Sequence, residues 1–180
     1  MELVKGELQG VAIIKPKIMK DERGYFMESY KNTFFQKHFP KINFIQENES
    51  FSNYGVLRGL HYQKSPFEQT KLVRVIQGEI LDIIVDIRNN SKTFGKCMTI
   101  KLSSENKHQL LVPKGFAHGF LVLSKSAIVQ YKVDNPYSPE HESGISFDDP
   151  SLKLELPIAK HEIIISQKDK VYKKLNQIEV

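Results

Sequence analysis

Ten residues in the middle of the chain, Glu79-Ile-Leu-Asp-Ile-Ile-Val-Asp-Ile-Arg88, alternate with a period of two. Successive side chains of an extended backbone point to opposite faces. Leu81, Ile83, Val85 and Ile87 therefore share one face, and Ile80, Asp82, Ile84, Asp86 and Arg88 share the other. Similar β-branched or aromatic runs recur at 11–15, 42–46, 56–62, 71–76, 97–102, 109–112, 116–123, 127–133 and 162–165. Turn formers such as Gln77-Gly78, Asn89-Asn90-Ser91 and Pro113-Lys-Gly115 separate most of them. Only Lys31–His38, with Asn32 as its cap, and a stretch near Lys170–Leu175 read as helix. Many short strands with little helix predict an all-β sandwich or barrel.

Nothing divides the chain. There is no repeat, linker or Pro-rich tract, and 180 residues suit one domain spanning 1–180, with 170–180 as a peripheral helix or tail. No apolar run approaches the roughly 20 residues of a membrane helix. The charged start, Met1-Glu-Leu-Val-Lys-Gly-Glu7, does not read as a signal peptide. One cysteine, Cys97, forms no internal disulfide and fits a reducing cytoplasm. Twenty-six Lys and Arg against 21 Asp and Glu give a net charge of +5, which raises nucleic acid as a partner. The charges are interspersed, however, and Asp169 interrupts even the densest cluster, Lys168, Lys170, Lys173 and Lys174. A mixed pattern of this kind argues against nucleic acid.

Five segments carry chemistry-bearing side chains. In Gly55-Val-Leu-Arg-Gly-Leu-His-Tyr-Gln63, strict alternation places Arg58 and His61 on opposite faces, because their separation is odd. Both serve one cavity only if the strand is irregular, as by a bulge at Gly59; otherwise this is a half-exposed strand with polar residues in water. In Gln69-Thr-Lys-Leu-Val-Arg-Val-Ile76, Lys71 and Arg74 fall on opposite faces, so one of them points inward and needs an anionic partner, unless both snorkel. In Pro113-Lys-Gly-Phe-Ala-His-Gly-Phe120, His118 lies between Phe116 and Phe120, as a hydrogen-bonded core histidine does. The Pro-x-Gly-x-x-His spacing is similar to the second motif of cupin barrels, whose histidine often binds metal. The matching His-x-His is missing, since Tyr62 and Gln63 follow His61. Last, Tyr131 and Tyr137 in Val129-Gln-Tyr-Lys-Val-Asp-Asn-Pro-Tyr137 offer a phenolic acid and a flat stacking face, or simple packing, and Ile165-Ser-Gln-Lys-Asp169 sets a lysine beside a carboxylate.

Taken together and in order, these segments resemble the dTDP-4-dehydrorhamnose 3,5-epimerase family from about Gly10 to Asp169. Further matching strings are Asp21-Glu-Arg-Gly-Tyr-Phe-Met-Glu28, Gln46-Glu-Asn48, Lys71-Leu-Val-Arg-Val75, Val85-Asp-Ile-Arg88, Thr93-Phe-Gly95, Tyr131-Lys132 and Ser166-Gln-Lys-Asp169. The resemblance implies a cupin-type β-jelly-roll barrel with a few short helices, no cofactor and no metal. It implies inversion of C3 and C5 of dTDP-4-dehydro-6-deoxy-D-glucose, giving dTDP-4-dehydro-L-rhamnose for surface polysaccharide. His61 would be the base, Asp169 its partner, Tyr131 the proton donor and Lys71 the support of the carbonyl oxygen. Arg23, Glu28, Gln46, Glu47, Asn48, Arg58, Lys71, His118, Glu142 and Lys168 would contact substrate, and Tyr137 would stack on the thymine. Position 47, often Asp in the family, is Glu here. The resemblance also implies a homodimer whose subunits exchange strands at the site, in the cytoplasm, with no membrane partner. Alternatives are a single-centre epimerase on a related sugar nucleotide, a metal-dependent cupin enzyme, and a non-catalytic sugar- or nucleic-acid-binding barrel.

Overall fold

A computed structural model describes residues 1–178. Thirteen strands are formed among them: β1 Glu2–Lys5, β2 Ala12–Lys15, β3 Ile18–Asp21, β4 Gly24–Met27, β5 Gln46–Asn53, β6 Leu57–Gln63, β7 Lys71–Gln77, β8 Glu79–Asp86, β9 Cys97–Ser103, β10 Gln109–Val112, β11 Phe116–Val122, β12 Ser126–Val133 and β13 Glu142–Gly144. Two short helices, α1 (Asn32–His38) and α2 (Gln167–Lys170), and three 3₁₀ turns complete the elements. One antiparallel sheet has the order β1-β2-β10-β7-β12-β5 and the other β13-β6-β11-β8-β9, while β3 and β4 form a separate hairpin. The chain from β5 onward passes repeatedly between the two sheets, which is the winding of a jelly roll.

The alternation of β8 sorts the layers. Ile80 and Ile84 enter the core between the sheets with Val73, Val75, Leu110, Phe116, Phe120 and Val129. Leu81, Ile83, Val85 and Ile87 face the other way, where Ile145, Leu152 and Leu175 of the C-terminal third cover them. On the outer face of the six-stranded sheet, Phe35 of α1 packs against Ala12, Ile14, Leu72 and Leu111. Asp86 is fully buried and accepts bonds from Arg88, Ser91 and Thr93, which knits the loop between β8 and β9. These bonds outweigh burial and hold its carboxyl far below the usual carboxylate range.

Several elements differ from the sequence reading. Residues 42–45 are not strand, and pairing starts at Gln46 and continues to Asn53. Strand β5 is an edge strand whose less exposed positions are Asn48, Ser50 and Ser52, so no apolar alternation marks it. Residues 162–165 make only a bridge, Ile164 to Val56. Four short strands, β1, β3, β4 and β13, go beyond the sequence reading, because they are mostly exposed or half-buried and show no buried apolar face. The last helix forms earlier than 170–175, at α2, where Ser166 Oγ accepts from the Asp169 N–H. Lys173 then bridges Ile145, and Leu175 is buried, so this stretch packs on the sheet; residues 179–180 lie outside the described part. Asn32 is the first residue of α1, and the cap position, Lys31, makes no side-chain cap bond.

Candidate active site

His61 sits near the end of β6, and the odd separation from Arg58 is resolved by an irregularity. His118 of β11 pairs with His61 and Phe120 with Arg58, so two steps along β11 match three along β6. The extra residue turns Arg58 and His61 to the same face, away from Leu57, Leu60 and Tyr62. Gly59 allows this at φ +128°, and a Cβ there would lie 2.6 Å from the Gly119 Cα of the neighbouring strand.

The imidazole is held by Asp169. His61 Nε2 lies 2.8 Å from Asp169 Oδ1, and the Gly59 N–H donates to Oδ2 at 3.3 Å. The carboxylate is buried and the imidazole partly exposed. Burial pushes the Asp169 carboxyl up, but His61, Gly59 and Ser166 outweigh it and leave it below the usual range. An anionic Asp169 places the ring proton on Nε2 and leaves Nδ1 as the basic nitrogen.

Across the strands lies a second pair. His118 Nε2 is 2.9 and 3.0 Å from the two carboxylate oxygens of Asp82, which is fully buried. Burial pushes the Asp82 carboxyl above the usual range against the pull of His118 and Lys71. Lys71 is the inward cation of β7, on the side of Val73 and Val75, whereas Arg74 shares the outer side with Leu72. Desolvation pushes the Lys71 ammonium down to about 8, opposed by Asp82 and Glu142. Tyr131 of β12 stands opposite Val73 and Asn48, packs on the inner core, and is raised by burial, so its phenol keeps its proton at neutral pH.

The rim is polar. Arg58 donates to Ser52 Oγ at 2.9 Å and to the Phe51 carbonyl at 3.2 Å. Glu142 accepts from the Tyr137 hydroxyl at 2.5 Å and from Lys168. Gln46 donates to Asn48 at 2.7 Å on the Tyr131 side of β5. The Glu47 side chain falls on the other side, where it binds Lys132 at 2.8 Å. Arg23 and Glu28 belong to the β3–β4 hairpin and its exit, exposed and paired locally with Asp21 and Lys31, and neither bonds to this cluster within one chain. Sequence reasoning missed Asp82 as the His118 partner, although its place between Ile80 and Ile84 on the core-facing side of β8 marked it. It also missed Tyr172, whose ring meets His61 edge-on at 5.6 Å and which carries no motif.

Concavity alone does not locate this cluster. A cleft of about 640 Å³ elsewhere is lined by Phe94, Lys96, Cys97, Leu152 and Leu175 and contains no histidine. Burial pushes the Cys97 thiol up to about 11, which makes it a poor nucleophile at neutral pH. Among the described residues, no three His, Cys, Asp or Glu side chains are grouped to hold a metal ion.

A basic imidazole backed by a carboxylate, grouped with a lysine and a protonated phenol around Glu142, can take a proton from carbon, stabilise the resulting oxyanion and return a proton. On a jelly roll, that equipment defines an isomerase working by proton transfer. Residues 5–177 match the family model for dTDP-4-dehydrorhamnose 3,5-epimerase, and the chain belongs to that family. The enzyme of that name from Methanothermobacter thermautotrophicus is 47% identical over 97% of this chain and 94% of its own length. The crystal structure of dTDP-6-deoxy-D-glucose-3,5-epimerase from Legionella pneumophila Philadelphia 1, in complex with dTDP-4-keto-L-rhamnose, is 44% identical, with a TM-score of 0.94 over 99% of this chain and 94% of that one. A 3'-monoepimerase from Streptomyces bikiniensis, in complex with dTDP-quinovose, is 28% identical, with a TM-score of 0.88 over 94% of this chain and 86% of that one.

Proposed function

We propose that the protein is a 3,5-epimerase that converts dTDP-4-dehydro-6-deoxy-D-glucose to dTDP-4-dehydro-L-rhamnose. The observation that carries this reading is the His61–Asp169 pair grouped with Lys71 and Tyr131 around the carboxylate of Glu142, which interacts electrostatically with His61, Lys71 and Tyr131, in a chain of this family. His61 Nδ1 removes the proton next to the 4-keto group, and Asp169 stabilises the imidazolium that forms. The electron pair moves onto the keto oxygen, which the Lys71 ammonium stabilises. Tyr131 then gives its phenolic proton to the opposite face of the same carbon, and the C–O double bond re-forms. The second centre follows by the same cycle after proton exchange with solvent. Arg58 and Lys168 serve the diphosphate, with Gln46, Asn48, His118 and Glu142 around the sugar nucleotide and Tyr137 against the thymine. Glu47 contributes through its main chain, since its side chain is engaged by Lys132.

The active unit is a single-domain chain paired with a second copy in the cytoplasm. Supporting the pairing, the β3–β4 hairpin exposes Met19, Tyr25 and Phe26, and it carries Arg23 toward solvent. A partner's cavity is where Arg23 and Glu28 meet substrate. Incubation with dTDP-4-dehydro-6-deoxy-D-glucose in deuterated water, followed by NMR, tests the reading. Deuterium at C3 and C5 supports it, deuterium at C3 alone replaces it by a single-centre epimerase, and none at either carbon sinks it.

A further inference from the structure

His61 is held on three sides, and its mechanism uses only two of them. Asp169 binds Nε2, and His118 is its neighbour across β11. On the other edge its cross-strand partner is Gly144 of β13. The space a side chain at Gly144 would take is filled by the ring of Tyr172, since a Cβ there would lie 2.5 Å from Tyr172 Cε2. That ring meets the His61 imidazole edge-on, with centroids 5.6 Å apart and planes at 74°. Tyr172 also lines a cavity of about 240 Å³ with Tyr62, Lys64, Ser143 and Gln177, so it stands between that space and the imidazole. Its hydroxyl is buried and bonds to no described residue, so packing alone orients the ring.

We propose that Tyr172 is a positioning residue: its ring, seated on Gly144, fixes the plane of the His61 imidazole and walls it off from the outer cavity. This rests on His61 being the base. Near-attack geometry loses rate steeply when a catalytic group is misplaced, while binding of substrate elsewhere is unaffected. Tyr172→Ala should therefore lower kcat about tenfold, the order of an edge-to-face aromatic contact, with KM within about twofold of wild type. Tyr172→Phe keeps the ring and should restore kcat, because only an unpaired hydroxyl is lost. Gly144→Ala pushes the retained ring aside and should match Tyr172→Ala, whereas adding it to Tyr172→Ala should cost nothing further.

The readouts are steady-state kinetics and the ¹⁵N spectrum of the His61 ring without substrate, in which the Nε2–H tautomer should lose population in Tyr172→Ala and Gly144→Ala only. Unchanged kcat in Tyr172→Ala, equal loss in Tyr172→Phe, or additive loss in the double variant each overturns the role of Tyr172. If wild type fails to exchange substrate protons, or His61→Ala exchanges them normally, the reading of His61 as base fails instead.

Discussion

Replacing Asp169 by asparagine keeps the shape of the His61 partner and removes its charge. Two bonds decide the outcome. The Gly59 N–H needs an acceptor, which the amide oxygen provides, so the amide nitrogen then faces His61 Nε2. An N–H donor there forces the ring proton onto Nδ1, the atom that must accept the substrate proton. The lost attraction adds to the wrong tautomer. At the 2.8 Å separation, a full imidazolium–carboxylate attraction is ~6 kcal/mol at an effective dielectric constant of about 20. Water around the partly exposed imidazole screens this to roughly 4 kcal/mol, or about three orders of magnitude in kcat. KM should stay within about twofold, because Asp169 lies behind His61 and serves the substrate only through it. The assay is deuterium incorporation at C3 and C5 by NMR alongside steady-state epimerisation, with circular dichroism to establish folding. A folded Asp169→Asn protein retaining more than about a tenth of wild-type kcat would refute the pair as the acid–base device.

Lys71 titrates at about 8, so its ammonium is present below that pH and lost above it. The ratio kcat/KM should fall on the alkaline side of pH 8, and Lys71→Arg should carry that limb upward; an unmoved limb assigns it to another group. Tyr131→Phe should preserve exchange of the substrate α-proton with solvent far better than net inversion, both followed in deuterated water. Equal loss of the two would leave Tyr131 a packing residue. Asp86→Asn should lower stability by about 3 kcal/mol in denaturant titrations, since it leaves Arg88 beside an uncharged buried partner. Because the Asp86 pKa is depressed, the lost increment is present above about pH 4 in wild type and fades only as pH falls toward the folded-state value, so the two proteins should converge in strong acid.

Strands β6 through β12 were legible because they are runs of β-branched and aromatic residues between turn formers, with β8, β10 and β11 buried almost throughout. Strand β5 was not, since its inward side carries Asn48, Ser50 and Ser52 along a polar rim. Strand alternation separated Lys71 from Arg74, and the inner core of Val73 and Val75 then decided which of them faces inward. Asp82 was visible as a charge between Ile80 and Ile84 on one face of β8, but its pairing with His118 joins residues 36 apart.

By itself the sequence determined the all-β class, the two faces of β8 and the family motifs that single out His61, Lys71, Tyr131 and Asp169. These are local properties of spacing and residue type. Only the tertiary structure decided that Arg58 and His61 share a face, through one extra residue opposite Gly119, and that a C-terminal segment returns to β6 with Asp169 and Tyr172. The reason is physical: alternation follows from backbone geometry within a strand. Register shifts and contacts across 108 residues follow from how the layers close, which no local period records.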